Sequence, residues 1–157
     1  MKGISTGPYS KECFWPEGYQ KSNYKICFVN LLVLKDSIVS SVDKDKKRIL
    51  SLSPTLVKDT PHYQYAIGNK QPYIDYLNMC RGITWARKAI GQENLQMDFM
   101  LEKFDKLLNS DIAYLDHPHE TKYIIIDKNR SLIDGLHRAT ALLVKGYEKA
   151  PVAVLGL

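Results

Sequence analysis

Near the carboxyl end of the chain, Asp134-Gly135-Leu136-His137-Arg138 gathers residue types that hold and transform a phosphate. Ser131-Leu132-Ile133 just before it reads as a strand, and Leu136, Ala139, Leu142 and Leu143 after it fall at helical spacing. A strand that opens directly into a helix leaves backbone N–H groups without acceptors at the positive end of the helix dipole, and such a point attracts an anion. Gly135 lets a phosphate approach the backbone, with the amides of Leu136 and His137 beside it. Arg138, one turn into the helix, offers a charge-assisted bidentate contact, and the His137 ring can donate to a phosphate oxygen or shuttle a proton. Asp134 departs from a plain anion site, because a carboxylate beside a phosphate is repulsive unless Mg²⁺ lies between them or the carboxyl is protonated. Both alternatives point to chemistry rather than passive binding. The competing reading makes Asp134 a helix N-cap, Gly135 a turn residue and His137-Arg138 a solvated pair.

Other polar groups are weaker candidates. Pro61-His62-Tyr63 and Gly68-Asn69-Lys70 form a loop-like stretch in which His62 and Lys70 can complete a phosphate pocket from the opposite side, or simply lie in an exposed turn. His117-Pro118-His119-Glu120 lacks a third metal ligand at a recognisable spacing. Lys44, Lys46, Lys47 and Arg48 are interrupted by Asp45, which favours a solvated turn over a nucleic-acid patch, and Asp127, Lys128 and Arg130 read as a polar β-turn. Ten tyrosines are spread without the basic interleaving of a base-stacking platform.

The elements that must position these groups follow from periodicity. Residues 1–23 carry Gly3, Gly7, Pro8, Pro16 and Gly18 and read as an irregular arm before a single domain over 24–157. Residues 25–34 read as a buried strand, and 37–70 as loops with one or two short elements, punctuated by Ser53-Pro54 and Thr60-Pro61. A helix over 71–89 has Pro72 in its first turn, and a second over 94–109 carries Met97, Met100, Leu101, Phe104, Leu107 and Leu108 on one stripe. Residues 122–127 and 131–135 form a tight hairpin, 136–145 a helix closed by Gly146, and 151–155 a strand with Pro151 at its start. The fold class expected is α/β (α+β), a small mixed sheet with helices packed on it.

A chain of 157 residues with 45% hydrophobic residues supports one real core, so one domain is expected. The opening Met1–Pro8 lacks the apolar core of a signal peptide, and the longest apolar stretch, around Ile26 to Leu34, is too short to span a bilayer, so the expected location is the cytoplasm, without a membrane partner. Three cysteines, Cys13, Cys27 and Cys80, without a CxxC pair indicate reduced thiols, with Cys27 in the core. The formal charge of +5 permits an anionic partner but is scattered among acids, which disfavours nucleic acid.

Residues 123–155 resemble the core of the ParB/sulfiredoxin superfamily, in which a strand ending in Gly-X-X-Arg opens a helix that binds nucleotide phosphates. Gly135-Leu136-His137-Arg138 carries that pattern. Sulfiredoxins read Gly-Gly-Cys-His-Arg there, and Leu136 in place of the cysteine excludes their chemistry. Partition proteins read Gly-Glu-Arg-Arg, bind CTP and continue into a DNA-binding domain; this chain has neither that Glu nor residues beyond Leu157, which disfavours their mode of DNA binding. Free-serine kinases read Asp-Gly-His-His-Arg, from which this motif differs only at Leu136. The resemblance implies that Asp134 acts as general base or holds Mg²⁺, while Gly135, Leu136, His137 and Arg138 bind the phosphates of ATP or another nucleotide. It thereby implies a phosphotransferase or nucleotide hydrolase acting on a small hydroxylated substrate. The alternatives are a non-catalytic nucleotide- or DNA-binding regulatory module and a ParB-like nuclease.

Overall fold

The computed structural model describes residues 24–45, 48–80, 97–109 and 123–156. β4 (Ile125–Asp127) and β5 (Leu132–Asp134) pair antiparallel, with Ile125 opposite Asp134. The Asp127 carboxylate closes their turn by accepting from the N–H groups of Asn129 at 2.8 Å and Ser131 at 3.0 Å, while Arg130 adopts φ +67°. The helix α4 (Leu136–Val144) follows at once and carries the chain back, so that β6 (Lys149–Leu155) lies parallel to β4 with Ile126 opposite Val154. Gly146 (φ +96°) ends α4 in a Schellman motif: its N–H reaches Leu143 O at 3.0 Å, and that of Tyr147 reaches Leu142 O at 2.9 Å.

β1 (Tyr24–Asn30) completes this sheet in the order β1-β6-β4-β5, antiparallel to β6. The expectation of a buried strand over 25–34 is corrected here. β1 is an edge strand with Ile26 and Phe28 exposed, and it stops at Asn30, whose side chain accepts from the Leu32 N–H at 2.9 Å. That bond turns Leu31–Val33 into a 3-10 turn and sinks Leu31 and Leu34 fully into the core. Pro151 lies inside β6 rather than at its first residue, in the stretch that pairs with β1 before β4 joins at Ala153.

The stretch expected to be mostly loops holds a second sheet, β2 (Lys35–Val42) against β3 (Ile49–Leu56), with a register shift next to Ser41. Its serines and Pro54 read as punctuation, yet Pro54 stands in an edge strand, where a missing N–H costs no ladder bond. Lys44 and Asp45 lie in the exposed turn of this hairpin, and Arg48 pairs with Asp43 across it at 3.6 Å. α1 (Pro61–Ala66) follows, capped by the fully buried Thr60, which accepts from the Tyr63 N–H at 3.1 Å. α2 (Gln71–Met79) starts where Pro72 placed it, and α3 (Met97–Asn109) realises the periodic stripe. The expected helical residues 81–89 and 94–96 lie outside the described residues, as do the arm 1–23 with Cys13, Lys46, Lys47 and the His117–Glu120 stretch.

Among the described residues the fold is therefore mixed α+β: a four-stranded mixed sheet, a two-stranded sheet and four α-helices. Two cores hold it. Ile124, Ile125, Leu142, Val152 and Leu155 pack between the large sheet and α4, each buried aliphatic contributing about 1.5–3 kcal/mol. Val39, Tyr65, Tyr73, Leu77, Cys80 and Phe104 form a second, largely aromatic core where α1, α2 and α3 meet β2. Cys27 is half-buried at the rim of the first core, and both Cys27 and Cys80 are free thiols. Among the described residues no helix is long and apolar enough to cross a membrane.

Candidate functional site

The motif sits between the two cores. Gly135 occupies the N-cap of α4 with φ +108°, and the first helical hydrogen bond runs from the Ala139 N–H to Gly135 O at 2.9 Å. The amides of Leu136, His137 and Arg138 precede that bond, so they lack intrahelical acceptors. A Cβ on Gly135 would lie 3.0 Å from Ile124 Cα and 3.1 Å from its Cγ1. The glycine is thus required by the close passage of the chain just ahead of β4 as well as by its left-handed conformation. The N-cap carries no side-chain hydrogen bond, and Asp134 stands one residue before it.

On one flank of α4 the groups are charged. The Lys35 N–H donates to Arg130 O at 3.1 Å, and Lys35 forms a parallel bridge with Ser131, which ties the start of β2 to β5. This connection brings Asp36 into the field of Asp134. Burial pushes the Asp36 carboxyl up to about 6; a hydrogen bond with the Ser37 backbone opposes this and the Asp134 charge adds to it. Arg138 is half-buried, and its Nη1 has no hydrogen-bond partner among the described residues. Asp36 is not among the candidate site residues of the sequence. The signal that marks it is its place between Leu34 and Ile38, both core residues, where an acid needs a reason to be.

On the other flank the groups are neutral. His137 Nε2 lies 2.9 Å from Tyr73 Oη, and its ring meets Phe104 at 4.7 Å and His62 at 4.9 Å between centroids. Burial, with Lys103 and Arg138 adding their charge, lowers His137 to about 4, so it is uncharged at neutral pH. The ring is thus held in the aromatic packing with Nε2 engaged by the Tyr73 phenol. His62 lies in α1, not in an exposed turn; it is 5% exposed, with Tyr73 at 4.8 Å and Tyr76 at 5.4 Å between ring centroids. Burial, and then His137, lowers it well below the usual histidine range. Its Nδ1 has no hydrogen-bond partner among the described residues. Tyr76 accepts from the Val39 N–H at 3.4 Å, and burial raises its phenol, with Cys80 and Asp36 close enough to act on it.

The fold thus brings His62 to the motif and leaves Lys70 elsewhere. The Lys70 ammonium sits 5.5 Å above the Tyr65 ring centroid, in a cation–π contact whose partner donates to Asp105 at 2.8 Å. Leu136 is buried in the first core, so it offers the site only its backbone. Among the described residues no group of three or more His, Cys, Asp or Glu is arranged to hold a metal ion. Mg²⁺ does not require one, since it binds through one or two carboxylates while keeping waters and taking phosphate oxygens. The hard oxygen donors of Asp36 and Asp134, whose charges oppose each other, fit that requirement. Comparison of the chain with protein-family models, with curated proteins and with solved structures returns no match.

Proposed function

We propose that the chain binds ATP or a related nucleotide by its phosphates at the amino end of α4 and, with Mg²⁺, moves a phosphoryl group to a small hydroxylated acceptor or to water. The observation that carries this reading is the buried Arg138 Nη1 with no hydrogen-bond partner among the described residues, one turn into a helix whose first amides have no intrahelical acceptors. A buried guanidinium nitrogen left unpaired costs about 1–3 kcal/mol or more, and a phosphate oxygen recovers it. The resemblance of residues 123–155 to the ParB/sulfiredoxin superfamily points the same way, with Asp134-Gly135-Leu136-His137-Arg138 in the place of its phosphate-binding turn.

The carboxylate pair separates this reading from passive anion binding. Two acids at an anion site oppose ligand binding unless their charge is used. Mg²⁺, held by Asp134 with Asp36 beside it, would supply charge neutralisation on the transferring group. Asp134 and Asp36 orient the acceptor hydroxyl, and the carboxyl lifted towards neutrality takes its proton. Arg138 and the α4 amides hold the phosphates in place.

Calorimetric titration with ATP, ADP, CTP and GTP, with and without Mg²⁺, tests this on the wild-type chain and on Arg138→Ala. Saturable binding of one nucleotide, weakened in the variant, supports the site. A titration flat for all four nucleotides removes it.

A further inference from the structure

We infer that His62 is a ligand-positioning residue, whose Nδ1 exchanges a hydrogen bond with an uncharged hydroxyl of the molecule bound at the start of α4. The inference rests on the nucleotide reading above and adds the chemical class of a second contact. Three observations support it. His62 is 5% exposed, yet one of its two ring nitrogens has no partner among the described residues, and a buried polar atom left in that state costs about 1–3 kcal/mol. Its ring lies 4.9 Å from that of His137, in the first turn of α4, and 5.4 Å from that of Tyr76, on whose phenol the Asp36 charge acts. His62 therefore packs beside the first turn of α4. Its other neighbours, Tyr73 and His137, are already bonded to each other at 2.9 Å and do not satisfy it.

The chemistry of the contact selects its partner. Burial and the second imidazole keep His62 neutral. A phosphate oxygen accepts only and is best met by a charged imidazolium, so the phosphate role expected for His62 from sequence gives way to another. A hydroxyl both donates and accepts, so it serves a neutral imidazole in either tautomer. The hydroxyl belongs either to the nucleotide's ribose or to the acceptor.

The test uses inorganic tripolyphosphate, ATP, 2′-deoxy-ATP and 3′-deoxy-ATP in calorimetry with Mg²⁺, on the wild-type chain, His62→Phe and His62→Asn. Tripolyphosphate should bind wild type and His62→Phe alike. Where the ribose supplies the hydroxyl, one deoxy-nucleotide binds wild type about three- to tenfold more weakly than ATP, His62→Phe loses that discrimination and His62→Asn keeps part of it. Where the acceptor supplies it, all nucleotides bind alike, and KM for glycerol in nucleotide-consuming turnover rises by a similar factor in His62→Phe with kcat little changed. Equal affinities, equal KM and no loss of discrimination in His62→Phe overturn the inference and leave His62 as packing around a structural water. Failure of tripolyphosphate to bind wild type sinks the phosphate reading instead. The hydroxyl contact is then judged separately, by long-range proton–nitrogen NMR on wild type with adenosine and with glycerol: a moving His62 Nδ1 resonance supports it and a static one rejects it.

Discussion

The two flanks of α4 treat buried polar groups in opposite ways. On the Asp36 and Asp134 side, burial leaves charge in place, with a carboxyl lifted to about 6 by its surroundings and by a second acid; Arg138, whose charge reaches His137, has a guanidinium nitrogen with no partner among the described residues. On the His62, His137 and Tyr73 side, burial removes charge, with His137 lowered to about 4 and its Nε2 engaged by a phenol. Charge is costly to hide, so it persists where something outside the chain compensates for it; neutral rings can simply pack. On the proposed reading, the charged flank meets the phosphates and the neutral flank shapes the wall beside them.

The largest expected effect falls on the charged flank. Asp134→Asn should lower turnover by about 10²–10⁴-fold while leaving nucleotide affinity unchanged or higher, because it removes repulsion along with a carboxylate that orients the acceptor hydroxyl. Steady-state assays paired with calorimetry check this, and undiminished turnover would remove Asp134 from the chemistry. Gly135→Ala strikes the joint between the flanks. With φ +108° and Ile124 Cα 3.0 Å from the added Cβ, the folded state should lose about 2–4 kcal/mol in urea unfolding. A smaller loss would mean that the backbone relaxes and that the close passage is not tight.

The neutral flank is tested by pH. His137 has a folded value near 4 against an ordinary 6.5, so the unfolded chain binds the extra proton between those values and stability falls as pH drops through that window. The contribution is on the order of 3 kcal/mol, and His62 acts in the same direction. Asp36 works with the opposite sign: its raised folded value gives stability that is present below 3.8 and lost as pH rises through about 6. Denaturant melts in EDTA should therefore show Asp36→Asn more stable than wild type at pH 7, with a steeper loss towards pH 4. Parallel curves for the two proteins would show that the Asp36 carboxyl is not held in a costly environment.

Arg138→Ala should weaken nucleotide binding by about 1.5–3 kcal/mol, the scale of a hydrogen bond to a charged group, with little change in stability. An unaltered titration would place the phosphate elsewhere and dissolve the contrast between the flanks.

What was legible in the sequence was contiguous. The hairpin from Ile125 to Asp134, the helix after Gly135, its Gly146 cap and the returning strand all depend on neighbours a few residues apart, where period, turn chemistry and capping act directly. The same holds for Pro72 at the start of α2 and the apolar stripe of α3. Tertiary structure decided everything that needed a distant partner. Ile26 and Phe28 read as core residues, but the strand order β1-β6-β4-β5 leaves β1 at an edge. Ser53-Pro54 read as a break, but pairing with β2 makes it strand. Asp36 meets Asp134, and His62 meets His137, across many intervening residues, whereas Lys70, close to His62 in the chain, turns to Tyr65. Periodicity specifies which face of an element is apolar; only the register and order in which elements pack determine which polar groups share a buried space, and so which of them can do chemistry.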